Sequence, residues 1–425
     1  MYNLIESLYP ICRSITGDGV RATLDMLKRQ IDLNVIEVPS GLPVFDWVVP
    51  REWNIRDAFI KNAQGERVVD FRESNLHVLN YSIPIHQTMT LDELKPHLFS
   101  LPDHPDWIPY RTSYYNENWG FCLTYNQLMS LSDETYEVCI DSTLAPGSLT
   151  YGEYVIAGES TDEVLISCHV CHPSLCNDNL SGIAVAVFLA KLLTALPLRY
   201  TYRFLFIPGT IGSITWLATH EEQIERIKHG FVLTCAGDPA NVTYKRSRRG
   251  DAEVDRAMTH VLEQSGAAFK LLDFYPYGYD ERQYCSPAFN LPVGVIMRSQ
   301  HGTFPQYHTS ADNLDFVQPA SLADTLRKCL ELCQILEGNE RYLNLFPKGE
   351  PQLGKRGIYK AISGQQSVEF DQMALFWVLN FSDGLHSLLD IAERSKIKFA
   401  QIERAASLLK EHGLIESIPA QTAER

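Results

Sequence analysis

From residue 150 to about 345, short apolar runs of strand character alternate with longer runs of helical period. They lie at 163–167, 183–193, 202–207, 214–220, 230–235, 254–265, 293–297 and 320–336. Alternation of this kind leaves few ways to fold, because each helix must cross back over strands that then run parallel in one sheet. The chain is therefore expected to hold an α/β domain, a mainly parallel sheet flanked by helices. Open sheets of this type put their ligand sites at the carboxyl ends of the strands.

The remaining segments divide around that domain. Residues 1–33 read as amphipathic helix and group with 149–345 in the α/β domain. From 34 to 148, short β-rich runs are broken by proline, glycine and asparagine, which marks a β-rich insertion domain. The stretch 346–357, rich in proline, glycine and charge, reads as a linker. Helix candidates at about 370–380, 384–394 and 398–411 follow, the last ending at a C′ glycine, Gly413, before an extended 414–418. Three helices and a strand outline a winged-helix domain over 355–420.

Composition excludes several classes. A net charge of −15 and a pI near 5.3 oppose general affinity for nucleic acid or an anionic membrane. No apolar run is read as reaching the roughly 18 residues of a spanning helix. The start, Met1-Tyr-Asn-Leu-Ile-Glu, lacks the regions of a signal peptide, so a cytoplasmic location is expected. The ten cysteines lie scattered through core-like runs and are expected to be reduced, mostly buried thiols.

The chemistry concentrates in Ser167-Cys-His-Val-Cys-His-Pro-Ser-Leu-Cys-Asn-Asp-Asn-Leu-Ser-Gly182, between strand 164–166 and helix 183–193. His169 and Asp178 thus fall at a strand's carboxyl end and a helix entrance. Imidazole nitrogen and carboxylate oxygen are the donors that catalytic zinc accepts. Segment 232–238 repeats the arrangement of strand, small-residue turn and carboxylate, ending on Asp238. Tyr307-His-Thr-Ser-Ala-Asp312 supplies His308 after a further strand. His172, three residues after His169, is placed to ligate or to orient the site. Singly, each fragment also suits a loop or a helix cap. Their order, each after a strand, favours a metal-assisted hydrolase whose donors rest on rigid elements. No HExxH helix and no G-x-S-x-G elbow is present, which argues against thermolysin-like and serine-hydrolase chemistry.

His169, Asp178 within Asp-Asn-x-Ser-Gly, Asp238, and His308 within His-Thr-Ser-x-Asp fall in the order of the zinc aminopeptidase superfamily. The chain resembles its branch with a β-rich insertion and a carboxy-terminal winged helix, often placed beside polysaccharide biosynthesis. Supporting stretches are 169–174, 244–250, 280–287 and 354–357. The resemblance implies the phosphorylase/hydrolase-like α/β fold and His169, Asp178, Asp238 and His308 as metal ligands, with Asp178 central. Cys171 stands where the classical enzymes carry an orienting aspartate.

Two departures from that pattern bear on mechanism. The branch pattern Pro-Glu-Thr-Ile-Gly-Ser reads Pro208-Gly-Thr-Ile-Gly-Ser213 here, so Gly209 takes the expected general-base position and Thr210 the ligand position. Likewise Gln306 replaces a glutamate before Tyr307-His308. Glycine cannot accept a proton, and a positioned base is worth about 10²–10⁴-fold in rate. Glu281 or His172 is left as substitute base, and one tightly bound Zn²⁺ is expected rather than two. Arg248, Arg282, Arg298 and Tyr279 are candidates for substrate binding. Lys245, Arg246, Arg248 and Arg249 form a basic cluster that suits either an anionic group or a solvated loop.

The function expected is zinc-dependent, aminopeptidase-like hydrolysis of an amide or peptide bond in a small, biosynthetic or short peptide-like substrate. The alternative is the same fold with hydrolysis lost, acting as a binding protein or in a different acyl or amide reaction. The mixed charge of 399–411 disfavours nucleic acid as a partner of the winged helix, no membrane partner is expected, and the additional domains suit a homo-oligomer.

Overall fold

The computed structural model describes residues 1–356, 358 and 372–418. The chain forms two compact units, Met1–Asp255 with Ala268–Arg327, and Arg256–Ala267 with Lys328–Arg425. In chain order the elements around the main sheet are α1 (Tyr2–Leu8), α2 (Asp18–Lys28), β1 (Asn34–Pro39), β2 (Ser148–Ile156), β3 (Glu163–His169), α3 (Gly182–Thr194), β4 (Thr201–Ile207), α4 (Ile211–Thr219), β5 (Ile227–Leu233), β6 (Thr243–Lys245), α5 (Glu253–Gln264), β7 (Lys270–Leu272), α6 (Glu281–Tyr284), β8 (Val293–Met297) and α7 (Pro319–Gly338).

The eight strands run in the order β1-β2-β4-β3-β5-β8-β6-β7. The four central strands, β4, β3, β5 and β8, are mutually parallel. Beyond them, β2 joins β4, β1 joins β2 and β6 joins β8, all antiparallel. The sheet is therefore mixed, with a parallel heart flanked by helices. All seven residues of β3 are buried, as a central strand covered on both faces requires. The strand at 34–39, read as the start of the insertion, is instead an edge of this sheet. Its register with β2 runs from Asn34↔Glu153 to Pro39↔Ser148.

The insertion builds an antiparallel sheet in the order Arg67–Asp70, Glu52–Lys61, Thr135–Ala145, Ile85–Thr90. In its longest strand Tyr136, Val138, Ile140 and Ser142 are buried at a period of two, the signature of one covered face. Ala58, Ile60, Val69 and Met89 complete that core.

In the second unit β9 (Arg341–Asn344) pairs antiparallel with both β10 (Asp383–Ser387) and β11 (Ile415–Ile418). Helices α8 (Gln372–Phe381), α9 (Leu388–Ser395) and α10 (Phe399–Glu411) accompany them. The helix expected at 384–394 begins only at Leu388. Ser387 and Asp390 form a reciprocal capping box there, and Gly384 is left-handed at φ +84°, so the preceding residues run as strand. Gly413, at φ +62°, terminates α10 as its position past the last helical turn predicts. Residues 357, 359–371 and 419–420 of the expected linker and winged-helix domain lie outside the described residues.

None of the ten cysteines forms a disulfide, including the C-x-x-C pair Cys168-His-Val-Cys171. Contrary to the reading of apolar runs, the stretch Cys176–Thr194 is long and apolar enough to cross a bilayer; most of it is buried, as in the core helix of a folded domain.

Candidate metal centre

His169 is the last residue of β3, and the loop after it returns Asp178 to the mouth of the same strand. His169 Nε2 lies 2.8 Å from Asp178 Oδ1, and His308 Nε2 lies 3.0 Å from Asp178 Oδ2. His172 Nε2 stands 3.9 Å from Asp178 Oδ2, too far for a hydrogen bond. His169, His172 and Asp178 each offer a donor atom within 4.8 Å of the others, and all three are buried. Flanking imidazoles hold the Asp178 carboxyl well below the usual carboxylate range despite its burial, while burial pushes His172 well below the ordinary histidine value. A buried anion ringed by imidazole nitrogens fits a divalent cation, because such a charge is tolerated only when paired or ligated.

The loop bearing Asp178 is held from below. Asp312, in the His-Thr-Ser-x-Asp motif, accepts the backbone N–H of Asn177 at 2.6 Å and of Asp178 at 2.9 Å. The segment carrying His308 is gripped by the insertion. Tyr110 N–H donates to the His308 carbonyl at 2.7 Å, Ser310 N–H to the Ile108 carbonyl at 2.8 Å, and Ile108 N–H to Ser310 Oγ at 2.9 Å. The Gln306 carbonyl accepts from the Thr309 N–H and hydroxyl.

A cavity of about 470 Å³ opens beside the cluster, lined by Tyr110, Arg111, Thr112, Tyr114, Tyr115, His172, Gly209, Thr210, Tyr279, Arg282 and His308. That lining includes two guanidiniums and no carboxylate. Five of the eleven residues come from the insertion, and among them Arg111 and the tyrosines carried no signal in the sequence beyond ordinary loop composition.

Tyr279 explains the glycine at 209. A Cβ built on Gly209 overlaps the Tyr279 ring. That ring packs on His169 at 4.0 Å between centroids, and its hydroxyl reaches Cys171 Sγ and the Gly209 carbonyl, each at 3.3 Å. The aromatic side chain thus occupies the space that a side chain at position 209 would need. Gly209→Glu is expected to lose about 1–3 kcal/mol of stability through overpacking, and to gain no turnover. Adding Tyr279→Ala should recover most of the loss. A single Gly209→Glu variant that melts with the parent in thermal unfolding would show that Tyr279 does not fill this position.

Four of the sequence candidates stand elsewhere. Glu281 is 1% exposed and spent on structure. It pairs with Lys245 Nζ at 2.6 Å and accepts the Tyr279 N–H at 2.9 Å, so it is not poised to take a proton in the cavity. Asp238 is also saturated, accepting from Asn177 Nδ2, Ser299 N–H, Ser299 Oγ and Ala240 N–H. Arg298 pairs with Asp324 at 3.0 Å. Arg248, on an exposed loop, bonds Asn290 Oδ1. Of the other basic residues, Arg246 pairs with Asp273 and Arg249 bonds the Asn290 carbonyl. Lys245 is the exception in that cluster: it is 1% exposed, and besides Glu281 it donates to the carbonyls of Tyr275 and Tyr277.

Comparison with known proteins gives the family and the fold. Residues 2–339 match the family described as a domain of unknown function, DUF4910, and residues 340–417 match a winged helix-turn-helix family. A Clostridium acetobutylicum protein described as "Putative polysaccharide biosynthesis protein with aminopeptidase-like domain" is 56% identical over 409 residues, 96% of this chain and 94% of that protein. A crystal structure of a peptidase-like protein from Clostridium acetobutylicum superposes with a TM-score of 0.94 at 54% identity, covering 98% of this chain and 96% of that one. The zinc aminopeptidase of Bacillus subtilis superposes at 0.57 with 14% identity, over 79% of this chain and 93% of its own. An M28 peptidase precursor from Shewanella amazonensis SB2B gives 0.54 at 16%, over 79% and 92%. The last two likenesses establish the fold of the α/β portion. The chain belongs to the DUF4910 family, an aminopeptidase-like α/β fold joined to a carboxy-terminal winged helix.

Proposed function

We propose that the protein is a zinc-dependent hydrolase that cleaves an amide bond in a small anionic substrate of polysaccharide biosynthesis. The reading is carried by one observation: His169, Asp178, His308 and His172 gather beside a cavity whose lining has two guanidiniums and no carboxylate. His169, Asp178 and His308 would hold the ion. Held there, zinc supplies Lewis acidity, polarising a carbonyl and lowering the pKa of water to about 7.

The chain's own residues supply the rest. His172 Nε2 has no carboxylate within hydrogen-bonding distance and lines the cavity; burial keeps it unprotonated at rest, and it is the imidazole placed to pass a proton on to the leaving nitrogen. Tyr279 lines the same space, with its hydroxyl on the Gly209 carbonyl. Arg111 and Arg282 receive an anionic group, for which guanidinium is the suited partner. A free α-ammonium would need a carboxylate partner, and the lining offers none. The substrate is thus an anionic amide rather than a peptide gripped by its amino terminus. The Clostridium acetobutylicum relative's description supports the biosynthetic setting.

The filled space at Gly209 favours a second reading, in which the site binds such a ligand without hydrolysing it. Metal content, followed by turnover of anionic and neutral N-acyl compounds, separates the two. His169→Ala should lose turnover together with the ion held by His169, Asp178 and His308. His172→Gln should keep the metal and lose about 10²–10⁴-fold in kcat. Arg282→Gln should lower the ratio of kcat/KM for anionic over neutral amides by about 10–100-fold, since a charged hydrogen bond is worth about 1.5–3 kcal/mol. Bound metal without turnover on any amide supports the second reading; a protein that binds no metal overturns both.

A further inference from the structure

Cys235 and His301 play no part in the mechanism above, yet with Asp178 they form a second set of donors. One ligand atom from each lies within 4.8 Å of the others, and all three residues are buried. We infer that Asp178 is shared between two cation positions, the second completed by the Cys235 thiolate and a ring nitrogen of His301. The inference rests on the metal-centre reading of the proposed function and departs from the expectation of a single ion.

Three features of the fold converge on this position. Asp238, expected as a ligand of the single ion, has both oxygens occupied by four protein donors, whereas Cys235, two residues past β5, offers its sulfur next to Asp178. Cys235 adopts φ +44°, a left-handed backbone that costs a non-glycine residue of order 1–3 kcal/mol and tends to persist at functional positions. Its neighbours enforce it: the Arg298 N–H donates to the Cys235 carbonyl at 2.8 Å, and the Ala236 N–H donates to Ser181 Oγ at 2.8 Å. Finally, Thr234 Oγ1 lies 3.0 Å from His301 Nε2 and orients the ring, as outer partners of metal-binding histidines do. Thiolate, imidazole and carboxylate together are a set that zinc and cobalt accept. Filling the position releases the Cys235 thiol proton to solvent, because only the thiolate ligates.

Titration of the metal-free, full-length protein with Co²⁺, followed by near-ultraviolet absorption and metal analysis, tests this. Two equivalents should bind, one of them bringing a thiolate-to-cobalt charge-transfer band. Cys235→Ser and His301→Gln should each abolish the band and one of the two equivalents, while His169→Ala should keep the band. A single equivalent without a band overturns the second position, as does a band that persists in Cys235→Ser. A thiolate band in a protein that hydrolyses no amide leaves this position standing and overturns only the hydrolase reading.

Discussion

Glu281→Gln is expected to lower the free energy of unfolding by about 3–5 kcal/mol, the usual cost of removing one partner from a buried ion pair. The Lys245 ammonium would remain 1% exposed with neutral oxygens alone as acceptors, among them the carbonyls of Tyr275 and Tyr277, and no counter-charge. Those carbonyls belong to the loop that carries Tyr279, whose own N–H is left without an acceptor if the single amide oxygen stays with Lys245, since the two now use separate Glu281 oxygens. The same substitution should therefore raise KM by displacing Tyr279 while leaving the bound metal in place. Chemical unfolding together with metal analysis checks both halves. A variant with parental stability and no turnover would mean that Glu281 is the general base after all, and that its pairing with Lys245 gives way during catalysis.

Asp312→Ala is expected to lower stability by about 2–6 kcal/mol, from two buried N–H groups each left without an acceptor at about 1–3 kcal/mol. Those groups, on Asn177 and Asp178, position the central carboxylate, so metal affinity should fall as well, by about 10–100-fold. Asp312→Asn keeps acceptor capacity and should lose less of each. Burial raises the Asp312 carboxyl from 3.8 to about 8 in the metal-free protein. A carboxyl raised in the folded state contributes stability that is complete below pH 3.8 and is lost as pH climbs to about 8. Metal-free Asp312→Ala should therefore show a flatter decline than the parent across that window. Calorimetric titration with Zn²⁺ and melting from pH 4 to 8 give the readouts. Unchanged metal affinity in both variants would remove Asp312 as a positioning residue.

Much of this architecture was legible in the chain because it is local. Strand and helix periods identified the parallel heart of the sheet, since a buried strand such as β3 must be apolar throughout and its crossover helix must follow it. The motif around His169 and Asp178 could be read because both residues lie within one strand-to-loop connection. The limits of local pattern show at β10, where the helical period at 384–394 yielded to a left-handed Gly384 and a cap at Ser387. They show again at β1, whose membership of the main sheet depends on a partner more than a hundred residues away in β2.

The sequence by itself determined the fold class, the winged helix and the donor types that meet at the strand ends, because hydrophobic period and residue chemistry are properties of short segments. Only the tertiary structure decided which carboxylates are free to act. Glu281 and Asp238 read as functional by type and position, but a buried carboxylate must be paired, and the fold assigns Lys245 to one and a ring of hydrogen-bond donors to the other. It also brought Tyr279 against Gly209, and the insertion's tyrosines and Arg111 around the cavity. Those meetings join residues far apart in the chain, and close packing, which no local pattern encodes, sets them.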